Sequence, residues 1–328
     1  MKSVPFSVSL IFMSGFYLFC NTEAPTADAN KTSAPAGELP PNELGKIPIL
    51  TYHKIADENT EYTRSRESYA NDLVLLKKHG FYPVSLSELR SGKITTPKGK
   101  IPVLITYDDS SETHFKYEAD GSLSPGCAVE IMARFQKKNA DFPLRGVFFV
   151  LPKAAYPNNF FGQTDLIGKK MKYLTDNGFE IGSHTLWHAN LKKYRNKIEE
   201  QLALGTHEIQ KYIKNYPVYA FALPYGIFPP KDDEPRLRSG VYKGHKYKHE
   251  MIFDYSNGLS HSVYDAAFDT YHIRRLHGNE KTLTKLFKQA TTKKHIFFVS
   301  DGDPNTVTVK KADSERVRLK SGQKLLVY

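Results

Sequence analysis

Two adjacent acids, Asp108 and Asp109, close the apolar run "IPVLITYDDS" over residues 101–110. One Asp is enough to end a strand or start a turn; the second needs another reason. Successive strand side chains point to opposite sides, so the two carboxylates are expected to face different partners. Such a pair suits two tasks, a metal ligand and a proton acceptor. His184 and His188 stand four apart in "GSHTLWHANL", just after the strand-like run "FEIGS". One helical turn would bring both imidazoles onto the same face, within reach of one cation. In "FALPYG", residues 221–226, Pro224 constrains a turn and Gly226 lets backbone approach a ligand closely. Each motif alone also reads as ordinary structure: a polar strand end, a chance pair among 12 His, a plain turn. Together, at the ends of three strand-like runs, they supply one carboxylate and two imidazoles. That is a three-ligand set with open positions, as at a hydrolytic Zn²⁺ centre, and it leaves the other Asp free to accept a proton.

The elements that must position these residues alternate along the chain. Strand-like runs fall at 47–53, 101–107, 145–152, 179–184, 219–224, 271–277 and 295–300. Between several of them lie segments with apolar residues at spacings of three and four, at 67–80, 127–140, 164–178, 197–215 and 281–294. Strand–helix alternation implies parallel strands with crossovers, and six or seven such units fit an α/β barrel. In such barrels chemistry gathers at the C-terminal ends of the strands, where all three motifs fall. A second His pair, His245 and His249 in "GHKYKHEM", has no strand before it and reads as a solvated basic segment. The tail, 301–328, reads as a short β extension of strands joined by polar turns.

The 328 residues include 40% hydrophobic and 12% aromatic residues, enough for a sizeable core. The net charge of +11 comes from 46 Lys and Arg against 35 Asp and Glu, spread along the chain. Nucleic-acid binders more often gather cations on one element beside stacking aromatics, so no nucleic-acid partner is expected. The charge instead suits attraction to anionic envelope polymers. Lys2 followed by an apolar run to Cys20 predicts an export signal over 1–20, and the polar Ala/Pro-rich segment 21–45 a flexible linker. The expected location is therefore outside the cytoplasm: periplasm, cell envelope or secreted. Cys20 stands where a lipidated Cys would, and membrane association through such an anchor is the minor alternative. With only Cys20 and Cys127, no disulfide framework is expected, and Cys127 reads as a small packed residue at a helix start.

At these motifs the chain resembles the NodB-type polysaccharide deacetylases, the fourth carbohydrate esterase family. It looks most similar to their exported poly-N-acetylglucosamine deacetylase branch. "TYDDS" resembles the family's Thr-Phe-Asp-Asp-Gly, "SHTLWH" its Ser/Asn-His-Thr-x-x-His, and "ALPYG" its Arg-x-Pro-Tyr-Gly. "IPILTYHKI" and "RGVFFVLP" also look like that branch. The resemblance spans about residues 46–300. It implies a distorted (β/α)7 barrel and metal-dependent removal of N-acetyl groups from an amino-sugar polymer, peptidoglycan or exopolysaccharide. It further implies Asp108 as general base, and Asp109, His184 and His188 as ligands of a divalent metal, zinc first, with Co, Ni or Mn as alternatives. Pro224 and Tyr225 would form the substrate and oxyanion side, through the Tyr225 N–H.

Departures from the family pattern are specific. Ala222 stands where many members carry an Arg that orients the base, and Ser110 replaces a Gly. No Asp-plus-Trp motif is present, since Trp187 is the only Trp. The late Leu-x-His that supplies the general acid has no match; Ser300 in "IFFVSD" and His277 in "RRLHG" are the candidates for that place. Two further readings follow, a carbohydrate-binding pseudoenzyme and another metal-dependent amidase or hydrolase on the same barrel.

Overall fold

A computed structural model describes residues 40–328. The expected signal, Cys20 and the linker up to residue 39 lie outside the described residues. Eight strands form one parallel sheet: β1 (Ile49–Tyr52), β2 (Phe81–Pro83), β3 (Ile101–Tyr107), β4 (Gly146–Val150), β5 (Phe179–Ser183), β6 (Ala220–Ala222), β7 (Met251–Phe253) and β8 (Leu276–His277). Their order is β7-β6-β5-β4-β3-β1-β8, with β2 paired to β3. The helices are α1 (Arg66–Lys78), α2 (Leu86–Ser91), α3 (Ala128–Lys138), α4 (Ile167–Asp176), α5 (Ile198–Tyr212) and α6 (Glu280–Thr292). β3 and β4 are buried at every position, which is why their sequences run apolar without alternation. Tyr107 stacks on Phe148 with ring centroids 4.5 Å apart. Each such buried ring contributes about 2–3 kcal/mol relative to exposure. The segment entering β8 lies beside β7, with the Ile273 N–H donating to Ile252 O and the Asp254 N–H to Ile273 O. β8 itself pairs with β1, so the sheet curls shut as a distorted (β/α)7 barrel.

Register sets the level of the chemistry. Tyr52 faces Tyr107, Tyr107 faces Phe148, Val150 faces Ser183, and Ser183 faces Phe221. The residues that follow, His53, Asp108, His184 and Leu223, therefore emerge at one end of the barrel.

Four sequence expectations are corrected. Residues 295–300 form no strand: Phe297 and Val299 make only isolated bridges, to Lys46 and Asn42. Phe297, Phe298 and Val299 are all buried, so the apolar run reports burial and not sheet membership. Residues 42–45, placed in the linker, are packed chain: the Asn42 N–H donates to Val299 O, the Glu43 N–H to Thr308 O, and Glu43 and Leu44 are buried. The "GHKYKHEM" segment is not a solvated stretch, because His245–Lys248 pairs with Ser239–Tyr242 as a hairpin and His249 is buried against Phe221. The Nδ1–H of His249 reaches Leu237 O, which makes burial of an imidazole tolerable, and burial pushes its pKa down to about 4. Finally, Met251–Phe253 is a sheet strand that three residues are too short to announce. In the tail, Thr306–Val309 pairs in parallel with Lys324–Val327, and Val307 and Val309 are buried in the core. Among the described residues, no helix is long and apolar enough to cross a membrane.

Candidate active site

Asp108 follows β3 directly, its N–H donating to Tyr52 O. Its carboxylate is gripped by Arg275, with Nη1 2.7 Å from Oδ1 and Nη2 2.8 Å from Oδ2. Both side chains are buried, and Arg275 is further anchored through Nε to Asp254 O. Burial alone would raise the Asp108 pKa, but nearby groups, Arg275 first among them, together outweigh it and hold the carboxyl below the usual range. The arginine absent at Ala222 is thus supplied from the segment just before β8. Asp109 does not diverge from Asp108 by strand alternation. Its φ is 72° and that of Ser110 is 42°, so a left-handed turn swings Asp109 back to the same cavity. Ser110 secures the turn, its hydroxyl donating to Asn158 O and accepting from the Leu151 N–H.

His184 follows β5 directly and is almost fully buried. Its Nδ1 lies 2.8 Å from Ala222 O. A carbonyl can only accept, so Nδ1 carries the hydrogen and Nε2 presents its lone pair. The two histidines do not meet through a helical turn. Residues 185–187 are a turn, with Thr185 at φ 72° and His188 at φ 65°, closed by the Ala189 N–H on the Thr185 hydroxyl. Asp109 Oδ1 lies 3.5 Å from His184 Nε2 and 3.4 Å from His188 Nε2. The three ligand atoms fall within 4.8 Å of one another. Asp109 Oδ1 is buried without a hydrogen-bond partner. An orphaned carboxylate oxygen facing two imidazole nitrogens, one of them held as a lone-pair donor, is a donor set that fits a divalent cation. Burial pushes the His188 pKa down to about 4, which keeps that ring neutral.

Tyr225 sits at φ 61° beside the His188 ring. The tight turn after β6 bonds Gly226 N–H to Leu223 O and Ile227 N–H to Pro224 O, and neither bond uses the Tyr225 N–H. A residue unmarked in the sequence reading completes the wall: His53, at the end of β1, edge-on to Tyr62 and Tyr255. Burial lowers its pKa against the opposing pull of Asp108 and Asp109. His53 was findable by the rule that located the others, a polar residue closing an apolar strand run. Asp108, Asp109, His184, His188, His53 and Tyr225 line one cavity of about 370 Å³. A neighbouring chamber of about 640 Å³ shares Asp109, His188 and Tyr225 and is walled by Tyr156, Trp187 and Tyr194.

Neither candidate for the acid's place reaches this cavity. The Ser300 N–H donates to Lys100 O and its hydroxyl to Thr96 O, at the start of β3 and so the opposite end of the barrel. His277 pairs in register with Thr51, two residues before His53, and its ring stacks on Tyr255 at 3.7 Å.

Residues 95–234 match the family model described as polysaccharide deacetylase. That match covers 140 of the 328 residues, a little under half of the chain. The solved polysaccharide deacetylase of Bacillus cereus is 20% identical, with a TM-score of 0.55 over 75% of this chain and 68% of that one. The deacetylase PplD of Streptococcus pyogenes, solved with acetate, is 18% identical, with a TM-score of 0.53 over 74% of this chain and 97% of that one. IcaB of Ammonifex degensii is also 18% identical, with a TM-score of 0.54 over 76% of this chain and 98% of that one. At these identities the likeness establishes a shared deacetylase fold. No curated protein matches the sequence. The matched stretch contains Asp108, Asp109, His184, His188 and Tyr225, whereas His53 and Arg275 lie outside it.

Proposed function

We propose that this protein hydrolyses N-acetyl groups from an amino-sugar polymer, peptidoglycan or exopolysaccharide, with Asp109, His184 and His188 holding a divalent metal, zinc before Co, Ni or Mn. The observation that carries the reading is the convergence of an orphaned Asp109 oxygen and two imidazoles beside an arginine-clamped Asp108. When bound, the ion supplies Lewis-acid polarisation of the acetamide and lowers the pKa of a water. The chain's own groups do the rest. Asp108, kept ionised and oriented by Arg275, accepts the proton of the attacking water. The Tyr225 N–H, free of the turn's bonds, donates to the oxyanion as it forms. His53, across the same cavity, donates a proton to the departing amine, and the proton that Asp108 takes from the water restores it. Reading the chain as a carbohydrate-binding pseudoenzyme rests on a missing arginine and a missing acid; Arg275 on Asp108 and His53 in the cavity support the enzyme reading instead. The chamber walled by Tyr156, Trp187 and Tyr194 suits neighbouring sugars of a polymer, which favours a glycan over a small amide substrate.

Acetate release from N-acetylated glycan polymers, measured with and without chelator, tests the reading. The expected result is release that chelation abolishes and zinc restores. Asp109→Asn should lose both metal and activity, while His53→Asn should retain metal and lose about a hundredfold or more in kcat. A metal-loaded protein that frees no acetate from any such polymer would overturn it.

A further inference from the structure

A further cavity, of about 820 Å³, runs down the side of the barrel next to the catalytic one, lined by the turns after β1, β7 and β8, by α6 and by Lys46 from before β1. Glu61 and Asn257 line it, and Tyr62 and Tyr255, one and two residues away in the chain, line the catalytic cavity. Four cations face it: Lys46, Arg274, Lys281 and Lys285. None forms an ion pair with a carboxylate among the described residues; Lys46 has only the His261 ring as polar partner. Of the two acids in its wall, Glu280 is already matched by Arg64, which leaves Glu61 alone against four positive charges. Amide donors add to the cations. The side-chain oxygens of Asn257 and Asn279 are occupied by the His277 and Thr282 N–H groups, and their NH₂ groups donate to no protein atom. No aromatic side chain lines this cavity, so it offers no platform for stacking bases.

We infer that this basic cavity is a subsite for an anionic substituent of the glycan, a carboxylate or phosphate borne near the acetylated sugar being processed. The inference rests on the proposed deacetylation for the identity of the ligand, and it names the polymer class: an acid-bearing amino-sugar polymer in place of a neutral one. Unpaired cations and free amide donors cost nothing in ion pairs broken when an anion arrives, and both donate hydrogen bonds to it. A neutral polymer would leave the same cations unmatched.

The test reads binding, so it does not depend on acetate release. Full-length protein is titrated calorimetrically with peptidoglycan glycan strands bearing carboxylates, with a phosphate-bearing amino-sugar glycan, and with neutral chito-oligomers of equal length. The expected result is tighter binding of one acid-bearing glycan, with the better arm identifying the acid, and a preference that shrinks as salt is raised. The double variant Lys281→Glu/Lys285→Glu, on the exposed face of α6, should cut the acidic-to-neutral affinity ratio about tenfold. Lys137→Glu/Lys138→Glu, the same charge change at the exposed C-terminal end of α3, should leave that ratio in place. Equal affinity for acidic and neutral glycans, an equal effect of the two double variants, or equal binding of single-stranded DNA would each overturn the assignment.

Discussion

At the residue scale, the site turns on a buried ion pair that crosses the barrel. Arg275 and Asp108 are both shielded from water, and neither would be tolerated there alone. Arg275→Met should therefore cost about 3–5 kcal/mol of stability. With the strongest opponent of burial gone, the Asp108 pKa moves up, and the acid limb of the kcat/KM profile moves to higher pH with it. Arg275→Lys keeps the charge but loses the two-pronged grip, so it should recover stability more fully than rate. Thermal unfolding and a pH–rate profile on the two variants check both statements; an unmoved acid limb in Arg275→Met would remove Arg275 from the mechanism. In the sequence, Arg275 reads as one basic residue of a strand, and nothing local says that it lies opposite residue 108.

At the element scale, the turns matter more than the strands. Asp109, Ser110, Thr185, His188 and Tyr225 all have positive φ, and the turns they form aim the functional groups. The sequence reading placed the motifs at strand ends correctly, but it derived their aim from strand alternation and helical spacing, which a left-handed turn overrides. Gly226 is the tightest of these points. At φ +65°, an added Cβ would stand 2.5 Å from Tyr255 Cβ and 2.8 Å from its backbone nitrogen. Gly226→Ala should destabilise the protein by roughly 1–3 kcal/mol. It should lower kcat more than this loss explains, because Tyr255 and Tyr225 both line the cavity. Circular dichroism melts beside acetate release separate the two effects, and a folded variant with unchanged kcat would contradict the account.

At the scale of the whole molecule, Glu43 ties the start of the described residues to the segment that follows the barrel. Its carboxylate accepts the Thr308 and Asp301 N–H groups, yet burial, and then the nearby Asp301 carboxylate, push its pKa up to about 8. The folded protein thus holds a proton that the unfolded chain has released above its ordinary value of 4.5. Stability from this group is complete below that value and is lost as pH rises through about 8. His114 and His249 act in the opposite sense: with pKa pushed down to about 4 by burial, they favour the folded state as pH rises. The contribution of Glu43 is therefore isolated by difference. Between pH 5 and 8, roughly the window between its two pKa values, the melting temperature of the protein should fall relative to that of Glu43→Gln. Parallel curves would refute a proton on Glu43.

The amino-acid sequence by itself determined the alternation of strands and helices, the strand ends that carry Asp108, Asp109, His184, His188 and Tyr225, and the pairing of acids with imidazoles among them. Those are properties of residue type and short spacing, which survive without knowledge of the fold. The tertiary structure decided the partners. Arg275 stands 167 residues from Asp108 and meets it only because β8 closes the sheet beside β1. His53 joins the site because β1 and β3 run in register from Tyr52 and Tyr107, whereas Ser300 falls at the other end of the barrel. Contacts across a closed sheet depend on strand order and register, and neither is written in any single strand.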